Sequence, residues 1–211
     1  MFNSWEILFE SEIARAATSD DPAHDILHFK RVVALAKKLA QQEEANLNIV
    51  VPAAWLHDCV VIPKNSPQRS QASQLSAKKA LEFLQSINYP EKYFAEISHA
   101  IAAHSFSANI KPETLEAQIV QDADRLDGLG AIGIARCFAT AGVLKRTFYC
   151  SEDPFCDTRT PNDSKFTVDH FYAKLFSTAE TLKTKSGSIE GQKRVAVMKH
   201  FISFLRDEID T

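Results

Sequence analysis

The sequence predicts an all-α protein, and three observations support that prediction. Apolar residues recur at intervals of three and four over most of the chain, which is the spacing of one helix face. No segment of useful length alternates apolar and polar residues as a half-buried strand does. The 211 residues, of which 45% are hydrophobic and 24% charged, suffice for one large core. We therefore expect a single all-α domain over residues 1–211.

Amphipathic stripes define the predicted helices and separate them from loops. Apolar residues at helical spacing fall within residues 29–40, 77–87, 94–104, 114–134, 168–184 and 192–208. Pro52 fits the first turn of a further short helix, which we expect to carry His57 and Asp58. Polar and Pro-containing segments predict loops at residues 63–71, 105–112 and 147–165. The last loop is long enough to be a functional lid or a surface excursion.

Charge and composition exclude several partners. The formal net charge of -3 is close to zero, whereas binding to a DNA or RNA polymer needs a broad basic surface. No stretch approaches the roughly 18 apolar residues of a membrane span, and acidic residues come early where a signal peptide has basic ones. We expect a cytoplasmic protein that binds neither a nucleic-acid polymer nor a membrane. Its four cysteines form no CxxC pair and are predicted to be reduced thiols.

The dipeptide His57-Asp58 in AAWLHDCVV is the strongest functional signal. Three other polar groups interrupt apolar helices: His28 in HFKRV, His104 in AIAAHSF, and the aspartates of QDADRLDGLG. A buried imidazole or carboxylate costs free energy unless it has a partner, and one divalent cation would serve all four groups. Imidazole and carboxylate suit manganese, iron, zinc or magnesium ions, which activate water for hydrolysis. The residues therefore indicate a metal-dependent hydrolase.

Helical geometry limits which of these residues can share a site. Asp122 and Asp124 are two positions apart and point about 200° away from each other, so only one of them can serve a given site. Asp124 shares its face with Asp127, whereas Asp122 borders the apolar stripe, so the spacing leaves both choices open. His99 and His104 are five apart, and His104 falls on the apolar face. His104 is therefore the better candidate of the two.

The ordered motifs resemble those of a known family. HxxRV (28–32), LHD (56–58), HAIAAHSFSA (99–108) and IVQDADRLDGLGAIGIARCF (119–138) together resemble the HD-domain superfamily of metal-dependent phosphohydrolases. The resemblance continues through PKNSPQRSQAS, DPF and DHFYAKLF, so it covers most of the chain. It points to the small bacterial branch of HD hydrolases and implies an all-α helical bundle of the HD type.

The resemblance also implies a metal-ligand set. The family's ligands are a first His, an adjacent His-Asp pair and a distal Asp, which match, in order, His28, His57, Asp58 and Asp124. Four protein ligands leave open positions on an octahedral ion, which makes Mn²⁺ more natural than tetrahedral Zn²⁺. Mg²⁺, Fe²⁺, Co²⁺, Ni²⁺ and Zn²⁺ are the alternatives.

Further roles follow from the same comparison. Arg125 matches a basic residue that contacts phosphate in related nucleotide hydrolases, and Asp127 looks like a residue that hydrogen-bonds a metal ligand. Many relatives carry a further acid shortly after the His-Asp pair, but Cys59 to Ile62 contain none. His104 therefore becomes the candidate, together with Asp58, for proton transfer or for positioning water.

The implied substrate is a nucleoside triphosphate, cleaved to a monophosphate and pyrophosphate. Lys64 and Arg69, in the loop after the His-Asp pair, are expected to bind the other phosphates of the nucleotide. Arg binds phosphate through bidentate hydrogen bonds, and Lys binds it as a point charge. The missing acid leaves open a non-catalytic metal or nucleotide sensor, and a cyclic-nucleotide phosphodiesterase is an alternative hydrolase. A two-iron oxygenase would need further histidines, and the angle between His99 and His104 argues against it.

Overall fold

The structure is a computed structural model that describes residues 2–16, 25–62, 66 and 68–209. Within them, the only β pairing is one isolated bridge between Thr147 and Phe166. The α-helices, in chain order, are α1 Phe2–Ala16, α2 Ile26–Gln42, α3 Leu47–Leu56, α4 Ala72–Ser86, α5 Phe94–His104, α6 Leu115–Asp127, α7 Gly130–Val143, α8 Phe176–Thr178 and α9 Lys185–Ile209. The prediction of an all-α fold is confirmed.

The chain divides into two compact units, of which the first comprises Met1–Asp124 and Lys183–Ser186. Its most buried helix is α3, whose sequence LNIVVPAAWL is apolar on every side and is buried from Ile49 onward. Helices α1, α2 and α5 all pack against α3. These helices hold the end of α3 in place, and the His-Asp pair follows there.

Pro52 does not begin a helix as predicted. Helix α3 begins at Leu47 instead, because the side chain of Asn46 accepts a hydrogen bond from the Asn48 N–H at 3.0 Å and caps the first turn. Pro52 is therefore internal to α3, and the helix ends at Leu56. His57 and Asp58 lie in the turn that follows α3 and not on a helix, which corrects the predicted placement.

The predicted helix over residues 114–134 is two helices, and glycines explain the break. Gly130 begins α7 with φ of 71°, in the left-handed region that other residues rarely adopt. A Cβ added at Gly133 would lie 2.2 Å from the carbonyl oxygen of Gly128. Only a glycine permits this close approach, which lies in the second unit, formed by Arg125–Leu182 and Gly187–Thr211.

The two predicted C-terminal helices differ from those of the structure. Residues 168–184 contain a π-helical turn at Phe171–Leu175, the single turn of α8, and a 3-10 turn at Ala179–Thr181. Helix α9 begins at Lys185, seven residues before the predicted start, and its Gly191 lets the Leu182 side chain approach closely. Periodicity missed this first part of α9 because it carries small and polar residues.

Residues 147–165 contain no helix, yet their backbone is held by specific contacts. The Asp153 carboxylate accepts hydrogen bonds from the backbone N–H groups of Asp157 at 2.9 Å and Thr158 at 2.8 Å. Arg159 donates two hydrogen bonds to the Asp169 carboxylate at 2.5 and 2.7 Å, and Asp169 is fully buried. This segment is therefore an ordered part of the second unit.

Among the described helices, none is by itself long and apolar enough to cross a membrane. Among the same described residues, α6 and α7 taken together as a bent pair reach the length and composition of such a span.

Candidate metal centre

Three histidines of the first unit are buried and locally fixed. His28 lies in the first turn of α2, where its backbone N–H donates to the capping carboxylate of Asp25 at 3.0 Å. His57 follows α3, and its Nδ1 donates to the Ala54 carbonyl at 2.8 Å. His104 ends α5. The exposed fractions of His28, His57 and His104 are 1%, 0% and 3%.

The backbone contacts decide which ring nitrogen of two histidines carries a proton. A carbonyl oxygen can only accept a hydrogen bond, so Nδ1 of His57 must be protonated, and the neutral ring then has a lone pair on Nε2. His104 repeats this arrangement, because its Nδ1 donates to the Ile101 carbonyl at 2.6 Å. Nε2 of His57 is therefore an electron-pair donor, as in metal-binding histidines, and Nε2 of His104 is one whenever that ring is neutral.

These nitrogens converge on two carboxylates. We call His28, His57, Asp58, His104 and Asp124 the donor cluster. Within it, the His28 and His57 Nε2 atoms are 3.4 Å apart, and Asp124 Oδ1 lies 3.6 Å from the first and 3.8 Å from the second. Asp58 lies 3.9 Å from His57 Nε2 through Oδ2 and 3.3 Å from His104 Nε2 through Oδ1. All five residues belong to the first unit.

The donor cluster fits a divalent cation. Ligand atoms 2.0 to 2.2 Å from one ion lie about 3 to 4.4 Å from each other, and the separations above fall within that range. Two overlapping sets bring every ligand atom within 4.8 Å of the others: His28, His57 and Asp124, and His57, Asp58 and His104. Lone pairs and carboxylates that face each other in a buried place need a shared positive charge.

The pKa values of His57 and His104 shift in opposite directions. Burial lowers the pKa of His57 to about 4 and outweighs the Asp58 and Asp124 carboxylates, which act to raise it. Burial also acts to lower the pKa of His104, but the Asp58 and Asp124 carboxylates outweigh it and raise the pKa to about 9. One proton on His104 thus partly satisfies the two carboxylates.

The structure separates the two aspartates that spacing left open. Asp124 is 28% exposed and lies in the donor cluster. Asp122 is fully buried, and its carboxylate accepts hydrogen bonds from the backbone N–H groups of Lys183 at 2.8 Å and Thr184 at 2.8 Å. The Thr184 hydroxyl also donates to it at 2.8 Å. Asp122 anchors the segment that leads into α9.

The other predicted site residues have different surroundings. Arg125 donates through Nη1 to the carbonyl and hydroxyl oxygens of Thr181, at 3.0 and 2.7 Å. Asp127 is buried and pairs with Arg136 at 2.7 Å. His99 Nε2 accepts the Glu113 N–H at 2.9 Å and is not part of the donor cluster.

Two predicted phosphate contacts cannot be placed in the structure. Lys64 lies outside the described residues, and so does the side chain of Arg69.

Sequence reasoning missed the backbone carbonyls of Ala54 and Ile101. A carbonyl carries no residue signature, and its contact with an imidazole three positions later depends on where α3 and α5 end. A histidine at the last turn of an apolar helix is the only signal that the sequence offers for such a contact.

An all-α unit with this donor cluster defines a metal-binding hydrolase of the HD class, and comparison with known proteins agrees. The HD domain family model matches residues 26–129, a stretch that contains the whole donor cluster. The chain belongs to the HD-domain superfamily of metal-dependent phosphohydrolases, which confirms the predicted family.

Relatives extend over nearly the full chain. The uncharacterized protein YpgQ of Bacillus subtilis (strain 168) is 29% identical over 196 residues, which are 91% of this chain and 87% of YpgQ. The crystal structure of an HD-superfamily hydrolase from Bacillus thuringiensis matches with a TM-score of 0.78 and 29% identity, over all of both chains. The crystal structure of B. subtilis YpgQ in complex with ADP matches with a TM-score of 0.74 and 28% identity, over 96% of this chain and 97% of that one.

Proposed function

We propose that this HD-superfamily hydrolase cleaves nucleoside triphosphates to nucleoside monophosphate and pyrophosphate. The observation that carries the proposal is the convergence of three buried imidazole Nε2 atoms and two carboxylates in the donor cluster. Support for a nucleotide comes from the relative YpgQ, whose structure was determined in complex with ADP. The single HD-type domain over residues 1–211 remains part of the same proposal.

We assign His28, His57, Asp58 and Asp124 as the residues that hold the ion. Their two imidazoles and two carboxylates form a mixed nitrogen and oxygen set, which suits Mn²⁺ better than the all-oxygen preference of Mg²⁺. When bound, such an ion polarises a phosphate oxygen and lowers the pKa of a coordinated water. The hydrogen bond from Nδ1 of His57 to the Ala54 carbonyl fixes the orientation of the ring. Histidines that bind metals in proteins are commonly oriented by such a hydrogen bond from the other ring nitrogen.

His104 is the residue that we assign to proton transfer. Its Nδ1 is fixed on the Ile101 carbonyl, so Nε2 is the atom that can take or give a proton, 3.3 Å from Asp58 Oδ1. Asp58 thereby has two roles, as a ligand through one oxygen and as the partner that orients His104 through the other. A group positioned in this way contributes roughly 10²- to 10⁴-fold to a rate.

Phosphate contacts complete the proposal. We assign Lys64 and Arg69 to the phosphates on the evidence of their place after the His-Asp pair. Arg125 is proposed as a third contact and Asp127 as a support for the ligands. In the structure, Nη1 of Arg125 donates to Thr181, and Asp127 accepts a hydrogen bond from Arg136.

A panel of substrates tests the proposal directly. The purified protein with Mn²⁺ is incubated with ribo- and deoxyribonucleoside triphosphates, ADP and cyclic nucleotides, and the products are resolved by chromatography. The expected products are a monophosphate and pyrophosphate, and Asp124→Asn should abolish them while Asp122→Asn, a matched control in the same helix, retains them. Release of orthophosphate with a diphosphate would contradict the proposed bond, and turnover of cyclic nucleotides alone would favour a phosphodiesterase.

A non-catalytic sensor is the second candidate, because of the residues after Asp58. Cys59 is buried, and burial raises the pKa of its thiol to about 11, so it is a poor substitute for the acid that many relatives have. Val60, Val61 and Ile62 carry no ionisable group. Nucleotide binding without turnover in excess Mn²⁺ is the result that this candidate predicts.

A further inference from the structure

A polar cluster in the second unit has no role in the proposed hydrolysis. The Asp163 carboxylate accepts a hydrogen bond from Nδ1 of His170 at 2.9 Å and pairs with Nζ of Lys174 at 2.9 Å. All three residues belong to the second unit, as does Arg146. We call Arg146, Asp163, His170 and Lys174 the cationic cluster.

The backbone at this cluster is unusual. A π-helical turn spans Phe171–Leu175, directly after His170, and contains Lys174. Such turns are rare and are frequent at functional sites. Here the π-helical turn lies at His170 and Lys174, whose side chains both contact the Asp163 carboxylate.

Positive charge exceeds negative charge in this cluster. Burial is the main cause of the lowered pKa of His170, and the charges of Lys174 and Arg146 lower it further, against the opposing effect of Asp163. Arg146 is half-buried, and its guanidinium makes no hydrogen bond or ion pair among the residues that the structure describes. A partly exposed guanidinium can bind an anion that reaches it from solvent.

We propose that Arg146, His170 and Lys174 form a binding site for a terminal phosphate group. Arg offers a two-pronged donor and Lys a point charge, and Lys174 is 64% exposed, so an anion can reach it from solvent. The Nδ1 of neutral His170 is held by Asp163, so Nε2 accepts a hydrogen bond from a protonated phosphate oxygen. A terminal phosphate has such an oxygen, whereas a phosphodiester does not.

The phosphate can come from inorganic phosphate or from the end of a nucleotide. The full chain is titrated with inorganic phosphate, ADP and adenosine in separate calorimetric experiments, in buffer free of phosphate and sulfate. Arg146→Met and Lys174→Met each remove one charged contact, and Lys193→Met removes an exposed lysine of α9 as the matched control.

We expect each cluster variant to weaken phosphate or ADP binding about tenfold, the effect of one charge-assisted hydrogen bond, and Lys193→Met to leave it unchanged. Weaker binding of both inorganic phosphate and ADP by the cluster variants means that the site accepts a terminal phosphate from either source. Weaker binding of only one of the two ligands identifies that ligand as the source. The proposal is overturned if the parent protein binds neither ligand, if the cluster variants bind like the parent, or if adenosine binding falls equally.

A second measurement does not depend on substitutions that could perturb folding. The ring resonances of His170 should shift in the NMR spectrum of the parent protein when phosphate is added, while those of His99 should not, and an unchanged His170 contradicts the proposal. Both experiments measure binding and not hydrolysis. Failure of the nucleotide panel therefore leaves this inference standing, and failure here leaves the proposed hydrolysis standing.

Discussion

Asp122 and Asp124 lie two positions apart in one helix and allow a matched test of structural and metal-binding roles. The changes are Asp122→Asn and Asp124→Asn, which are equal in size and remove one negative charge each. We expect Asp122→Asn to lower the free energy of unfolding and keep metal binding. We expect Asp124→Asn to change the free energy of unfolding little and to lose metal binding.

The contacts of each carboxylate set the magnitudes. An asparagine at position 122 retains one oxygen, which can keep the two contacts to Thr184, but its NH₂ group then faces the Lys183 N–H that Oδ1 accepts at 2.8 Å. Losing one charge-assisted hydrogen bond and placing two donors together costs about 2 to 4 kcal/mol in a fully buried position. Asp124 is 28% exposed, so its replacement should cost less than about 1 kcal/mol in metal-free protein.

Urea unfolding in the presence of EDTA gives the two stabilities without the contribution of bound metal. Metal content after Mn²⁺ loading and desalting is measured by mass spectrometry on the same samples. Retained metal in Asp124→Asn together with metal loss in a folded Asp122→Asn would refute the assignment and move the ligand two residues along α6.

Three further predictions address proton transfer, an ion pair and backbone packing. His104→Gln should retain Mn²⁺ but lower turnover roughly 10²- to 10⁴-fold, and metal loss would show instead that His104 is a ligand. Burial acts to raise the pKa of Asp169, but its ion pair with Arg159 outweighs burial and holds the pKa below its usual range. Asp169→Asn should therefore lower the free energy of unfolding by about 3 kcal/mol at neutral pH. That stabilisation is present above the unfolded pKa of about 4 and is lost as the pH falls through the lower folded pKa. The free energies of unfolding of parent and variant, measured with urea, should therefore become equal in acid. A difference that stays constant with pH would contradict the ion pair. Gly133→Ala should lower the free energy of unfolding by more than about 2 kcal/mol, because the added Cβ meets a backbone carbonyl. Gly142→Ala in the same helix has free space and should raise it by up to about 1 kcal/mol. Equal melting temperatures of the two variants would refute the packing argument.

Periodicity predicted the helices that bury one face, because burial imposes the helical repeat on the sequence. Helices α2, α4 and α5 were predicted at close to their observed positions for this reason. Periodicity did not predict the break before α7, because an apolar run hides the left-handed conformation of Gly130. Nor did it predict the start of α3, where the Asn46 cap matters more than Pro52.

The residues that converge in the donor cluster were predicted only in part by spacing. Helical geometry showed that Asp122 and Asp124 point in different directions but not which one turns toward the histidines. That choice depends on Lys183 and Thr184, about 60 positions away, whose N–H groups bind Asp122. A contact of this range leaves no local pattern in the sequence, and the family resemblance supplied what spacing could not.

X-ray absorption spectroscopy of the Mn²⁺-loaded protein tests the central claim most directly. The donor cluster predicts two imidazole nitrogens, from His28 and His57, in the coordination shell, with carboxylate and water oxygens completing it. His57→Ala should reduce the imidazole count to one or abolish binding. A shell of oxygen atoms without imidazole would contradict the account, because it would place the ion away from the buried histidines.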